Sequence, residues 1–186
     1  MRVGIIGSSS EILDDRHKSI ATSISNYLAE SGYDLTYCGA TTGIFEAVKR
    51  EFKNQGRDIK TVTTKDYFEQ IDSNNRSNTI VCKDTFEMKQ KIFENSDIIV
   101  ALPGGIGTLS EILSFIEEDR NGARKVPIEI YDEAGVFLLF GNQLYESAIH
   151  KMMSSDAFEY FKISTNIDEF INHIYEYERK EGKYGK

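Results

Sequence analysis

Three glycines fall within four residues at Gly104, Gly105 and Gly107, inside the run Pro103-Gly104-Gly105-Ile106-Gly107-Thr108. The run follows an apolar stretch and opens a segment of helical period, so its N–H groups can converge on one anion at a helix N-terminus. Two other loops have a similar make-up: Gly7-Ser8-Ser9-Ser10 and Gly39-Ala40-Thr41-Thr42-Gly43. Loops of this kind gather at the carboxyl edge of a parallel sheet, where three of them would surround one phosphate. Glycine also serves simply to close a tight turn against a packed helix. For the first two loops that plainer use weighs equally, whereas the glycine density of the third favours anion binding.

Glu111 stands one helical turn beyond the third loop, and two readings of it are open. Thr108-Leu109-Ser110-Glu111 has the form of a capping box, in which the carboxylate folds back onto the N-cap amide. Alternatively the carboxylate faces the ligand and acts as a base or an electrostatic partner at a sugar carbon. A dinucleotide fingerprint fits poorly, because Gly105-x-Gly107-x-x-Ser110 comes late and strand two has no acid at its end. NAD is therefore not expected. Cys38 and Cys82 read as small buried side chains rather than as a nucleophile or a disulfide. His17, His150 and His173 lack metal-ligand spacing and acidic partners in sequence, so they read as solvated surface residues and no metal is expected.

The elements that must position these groups alternate between short β-rich runs and helical periods, the pattern of a parallel sheet covered on both faces. Strands are expected at 2–6, 34–37, 59–63, 79–82, 97–102, 126–131 and, as a short edge strand, 160–164. The continuous apolar run from Ile98 to Leu102 belongs in the middle of the sheet. Helices are expected around Ile20 to Leu28, around Ile44 to Phe52, at 84–95, at 109–118, at 137–153 and at 167–177. Residues 65–78 are polar and aperiodic and read as a loop or lid. The fold class is thus α/β, a Rossmann-like three-layer α/β/α arrangement with a mostly parallel sheet. One nucleotide-site domain is expected over 1–178, with a charged flexible tail at 179–186.

Length agrees, since 186 residues fill one core and are short for two. An apolar fraction of 40% and a charged fraction of 28% are those of an ordinary globular protein. The net charge of −8 makes the long-range field repel polyanions, so nucleic acid is not an expected partner. The opening apolar run is too short for a signal peptide, and no stretch approaches the roughly 18 apolar residues of a membrane span. A cytoplasmic protein without membrane contact is expected.

The segment from Ala101 to Glu111 resembles the PGGxGTxxE motif of LONELY GUY-type proteins, long labelled possible lysine decarboxylases. Gly7-Ser8-Ser9 is similar to their first loop, and Tyr37 to Ile44 to a worn YGGGxxGLM segment. The resemblance covers the first five strands. It implies hydrolysis of the N-glycosidic bond of a nucleoside 5′-monophosphate, AMP or a cytokinin ribotide, to free base and ribose 5-phosphate, by a homodimer that needs no cofactor. Residues 103–108 would then hold the phosphate, with Thr108 donating its hydroxyl. Gly7, Ser8, Ser9, Gly39, Ala40, Thr41 and Gly43 would complete the nucleotide site, and Glu111 would be the catalytic carboxylate. The family's Arg-Lys pair falls on Met88 and Lys89, so the lysine is kept and the arginine lost; Lys91 or Arg76 would have to fill the vacancy. A thioether cannot supply the guanidinium's charge or donors, which gives an alternative expectation: a non-catalytic nucleotide-binding, sensing or carrier protein. An amino-acid decarboxylase would need a Schiff-base lysine and an acid for the pyridine nitrogen, and the sequence marks neither.

Overall fold

A computed structural model describes residues 1–69, 71, 73–122 and 125–180. Seven strands form one parallel sheet in the order β4-β3-β2-β1-β5-β6-β7. They are β1 (Arg2–Ile6), β2 (Asp34–Tyr37), β3 (Ile59–Thr64), β4 (Thr79–Cys82), β5 (Ile98–Ala101), β6 (Ile128–Tyr131) and β7 (Phe161–Ser164). The helices are α1 (Asp15–Glu30), α2 (Phe45–Asn54), α3 (Lys65–Phe68), α4 (Thr85–Glu94), α5 (Ile106–Asn121), α6 (Leu138–Ile149) and α7 (Ile167–Lys180). The Rossmann-like three-layer reading of the sequence is what the chain adopts. Among the described residues no helix is long and apolar enough to cross a membrane.

The period of two along β5 shows why its run is unbroken. Ile98, Val100 and Leu102 join a core with α1, α2 and α7, while Ile99 and Ala101 join a second core with α4 and α5. Both faces are covered, and every position on the strand is apolar. β1 is the middle strand, with β5 directly beside it in the register Val3↔Ile98 to Ile6↔Ala101.

Several expectations change. The connection at 65–78 is not a loop without structure: α3 is followed by a 3-10 segment, Ser73–Asn78. Arg76 donates to Glu69 Oε2 (2.9 Å) and to the Ile71 carbonyl (3.3 Å), and its guanidinium lies 5.2 Å from the Phe68 ring. Local side chain to backbone bonding, invisible to periodicity, orders it; Gln70 and Asp72 within it lie outside the described residues. The expected tail begins too early as well. α7 continues through Lys180, and buried Glu178 accepts a hydrogen bond from Tyr33 Oη at 2.8 Å. Residues 181–186 lie outside the described residues.

His173 is not a free surface histidine. Its Nδ1 sits 3.0 Å from the carboxylate of Glu129, a fully buried residue of β6 that also accepts from Ser164 Oγ (2.6 Å) and Tyr177 Oη (3.3 Å). Burial pushes the Glu129 carboxyl up, and these three donors oppose that shift. The cluster ties α7 to β6 and β7. His173→Ala is expected to lower stability by about 1–2 kcal/mol, measured by urea denaturation. Unchanged stability would mean that Ser164 and Tyr177 alone satisfy the carboxylate.

Candidate functional site

Strand order reverses between β1 and β5, since β2 to β4 lie on one side and β6 and β7 on the other. Loops diverge there and leave a crevice at the carboxyl edge. The loops flanking it brace one another. Ser8 N–H donates to the Pro103 carbonyl at 3.2 Å, Ile44 N–H to the Ser8 carbonyl at 2.9 Å, and Thr42 Oγ1 to the Ser9 carbonyl at 2.6 Å. The three glycine-containing loops are therefore one unit.

Their glycines divide into two kinds. At Gly43 the backbone has φ +65, and a Cβ would fall 2.2 Å from the Ser8 carbonyl oxygen; at Gly104 it would fall 2.1 Å from Thr108 Oγ1. Those two permit close approach, the plainer use. At Gly105 and Gly107 a Cβ would meet nothing within 4 Å, so there the bare backbone faces open space.

The helix ends after the three glycine loops differ: α1 is capped, α2 lacks a side-chain cap but carries Glu46 in its first turn, and α5 has neither cap nor acid. Asp14 caps α1 by accepting from His17 N–H, and Asp84 caps α4 by accepting from Glu87 N–H. α5 begins at Ile106, after the N-cap residue Gly105, with no side-chain cap and no acid in its first turn. Its free N–H groups and the positive end of a 16-residue helix thus open toward the crevice. The same geometry excludes the capping-box reading of Glu111, because Thr108 and Glu111 lie inside the helix rather than at its N-cap and N3.

The crevice holds a cavity of about 590 Å³. Of the residues expected from the sequence, Gly7, Ser8, Ser9, Gly105, Ile106, Gly107, Thr108, Lys89 and Glu111 line it. Gly39, Ala40, Thr41, Gly43, Pro103 and Gly104 do not line it: Gly43, Pro103 and Gly104 buttress the first loop from behind, while Thr41 edges a separate hollow beside Lys49 and Arg50. Cys38, Phe45, Thr85 and Ser110 also line the cavity, which the sequence reading does not anticipate. Cys38 and Phe45 border the second glycine loop, and that proximity is the signal that could have found them. Burial pushes the Cys38 thiol up to about 12, the Ala40 amide opposes this, and Glu111 adds to it. A thiol held protonated in this way is a poor nucleophile.

Burial likewise raises the Glu111 carboxyl to about 7, with Lys89 opposing. Lys89 reaches across from α4 and donates to Ser110 Oγ at 2.6 Å, which fixes its ammonium beside the carboxylate. Met88, the residue before it, lines the same cavity and packs on the second core. Neither expected substitute fills the place of an arginine. Lys91 pairs with Glu94 at 2.7 Å, Arg76 is held by Glu69, and neither lines the cavity. Among the described residues no three His, Cys, Asp or Glu side chains are grouped to hold a metal ion.

The family model described as possible lysine decarboxylase matches residues 45–174. The cytokinin riboside 5′-monophosphate phosphoribohydrolase LOG7 of Arabidopsis thaliana is 24% identical over 178 residues, covering 95% of this chain and 82% of that protein. Among solved structures, the Moco carrier protein from Chlamydomonas reinhardtii superposes with a TM-score of 0.67 at 15% identity, covering 96% of this chain and 97% of that one. The molybdenum cofactor binding protein from Rippkaea orientalis gives 0.66 at 18% identity, with 94% of each chain covered. At such identities the two structures speak for the fold alone.

Proposed function

This chain belongs to the family described as possible lysine decarboxylase, and on that premise we propose that it hydrolyses the N-glycosidic bond of a nucleoside 5′-monophosphate. The observation that carries the reading is Glu111, a carboxyl raised to about 7 on the wall of the cavity into which the uncapped end of α5 opens. The phosphate rests on the N–H groups at residues 105–108, and Thr108 donates its hydroxyl. C1′ of the ribose lies beside Glu111. As the C1′–N bond breaks, the ribose gains positive charge, which the carboxylate stabilises. Glu111 takes one proton from water while the water oxygen bonds to C1′, and that proton passes to the departing base nitrogen. A base with a pKa near neutrality is well matched to this task. Lys89, held by Ser110, keeps part of the carboxyl population ionised.

The decarboxylation in the family's description is not the reaction proposed. Among the described residues, Lys89 is the one lysine and Glu111 the one carboxylate lining the cavity. They neighbour each other, so neither is free to serve a pyridoxal ring nitrogen apart from a Schiff base.

Met88 favours a second reading. A site that keeps the anion cradle without a guanidinium can bind a nucleotide-like ligand and not turn it over, and the carrier from Chlamydomonas reinhardtii is built on this fold. Incubation with AMP, GMP, CMP, UMP and N6-isopentenyl-AMP, with free base quantified by chromatography, separates the two. Base release supports the hydrolase. No release from any nucleotide, with thermal stabilisation by one of them, replaces it by the binder.

We also infer a homodimer joined through α6. That helix buries none of its own residues and exposes Leu138, Leu139, Tyr145 and Ile149. No charge occurs from Ala134 to Tyr145, so a second copy of this acidic chain can approach there without repulsion. Light scattering is expected to give twice the 21.2 kDa of one chain, and Leu139→Glu to halve it.

A further inference from the structure

Phe86 sits near the start of α4 with 80% of its surface exposed, although Phe45, Phe52, Phe93 and Phe115 are all buried. Lys89 Nζ lies 5.7 Å from the centre of its ring while also donating to Ser110. The ring therefore flanks the same ammonium that borders Glu111. A second hollow of about 490 Å³ opens between α4 and α5 at this point. It shares Lys89 with the cavity and is walled by Phe86, Gln90, Ser114, Glu117 and Glu118.

Along α5 the parts follow one another on a single face: Gly107, Glu111, Ser114 and Glu118 are spaced i, i+4, i+7 and i+11. At 1.5 Å per residue, Glu111 is about 6 Å beyond Gly107, and Ser114 to Glu118 about 5–10 Å further. Phosphate, C1′ and base of a nucleotide succeed one another in that order and on that scale. The walls at the far end are polar and carry carboxylates, which accept hydrogen bonds from exocyclic amino groups.

Building on the hydrolase reading above, we propose that the α4–α5 groove is the base subsite, that the base stacks on Phe86, and that the groove selects an unsubstituted amino-bearing base over one carrying an apolar chain. An aromatic ring is sequence-tolerant as a stacking surface, so the acidic walls make the choice. A base edge carrying an alkyl chain would bring apolar surface against Glu117 and Glu118 and lose a donor.

Calorimetry in the Glu111→Gln background, where turnover is too slow to consume the ligand, tests this with AMP and ribose 5-phosphate. AMP is expected to bind more tightly than ribose 5-phosphate. Phe86→Ala is expected to weaken AMP by about 5- to 100-fold, to leave ribose 5-phosphate unchanged, and Phe86→Trp to restore AMP binding. With Glu111 intact, base release from AMP is expected to exceed that from N6-isopentenyl-AMP. Equal binding of AMP and ribose 5-phosphate overturns the subsite, and so does an equal loss of both in Phe86→Ala. If Phe86 controls AMP affinity yet no base is ever released, the subsite stands and the hydrolase falls. Release without any effect of Phe86 does the reverse.

Discussion

Glu111→Gln is expected to lower base release by about 10²- to 10⁴-fold and at the same time to make the folded chain more stable at pH 8. The two effects have one cause. Burial raises the carboxyl from 4.5 to about 7, so between those values the folded chain holds a proton that the unfolded chain has released. Folding is then progressively disfavoured as pH rises through that window, and above about pH 7 the full penalty is present. A shift of this size corresponds to on the order of 3 kcal/mol. Glutamine keeps the shape and has no charge to desolvate. Urea denaturation at pH 5 and pH 8 checks this: the variant should gain on the wild type mainly at pH 8. Equal stabilities at both pH values would mean a solvated carboxylate, and a loss at both would give Glu111 a structural role. Because the base must be ionised, kcat/KM of the wild type should rise with pH and level off above about 7.

Gly43→Ala is expected to destabilise by about 2–5 kcal/mol and to abolish nucleotide binding, whereas Gly56→Ala should cost only about 1 kcal/mol and leave binding intact. Both glycines have positive φ, +65 and +63. A left-handed backbone costs an alanine roughly 1–2 kcal/mol wherever it occurs. They differ in surroundings: nothing lies within 4 Å of a Cβ at Gly56, while at Gly43 it would meet the Ser8 carbonyl at 2.2 Å. Relieving that overlap adds about 1–3 kcal/mol and pushes the first loop away from Pro103. Equal costs at the two positions, measured by denaturation, would mean that the loops are not braced as described.

The same pair of glycine kinds shows what the sequence could reveal. β5 is legible because an apolar run buried on both faces has no other home, the shorter strands show as β-rich runs between helical periods, and loops rich in glycine after such runs mark the carboxyl edge. Gly43 and Gly105, however, look alike as letters; only the approach of Ser8 to one and the empty space around the other tells packing from exposure. Glu111 is ambiguous in sequence because Thr-x-x-Glu spacing is identical in a cap and inside a helix, and the choice turns on α5 starting at Ile106 rather than Leu109. Glu129 and His173 are separated by 44 residues, beyond any local pattern. Polar residues 65–78 read as loop because their order comes from Arg76 reaching back to Glu69 and Ile71.

The position of β1 also governs when this site can come into being. Its one neighbour, β2, follows shortly in the chain, but the other, β5, pairs across Val3↔Ile98. At ribosomal rates of about 5–20 residues per second, the open edge of β1 waits roughly 5–20 s for its partner. The crevice is the seam closed by that late pairing, so no cradle exists on a nascent chain before β5 docks, and α5 with Glu111 arrives later still. Ligand present during synthesis would then act as a latch on the finished sheet, unable to guide the early half of folding.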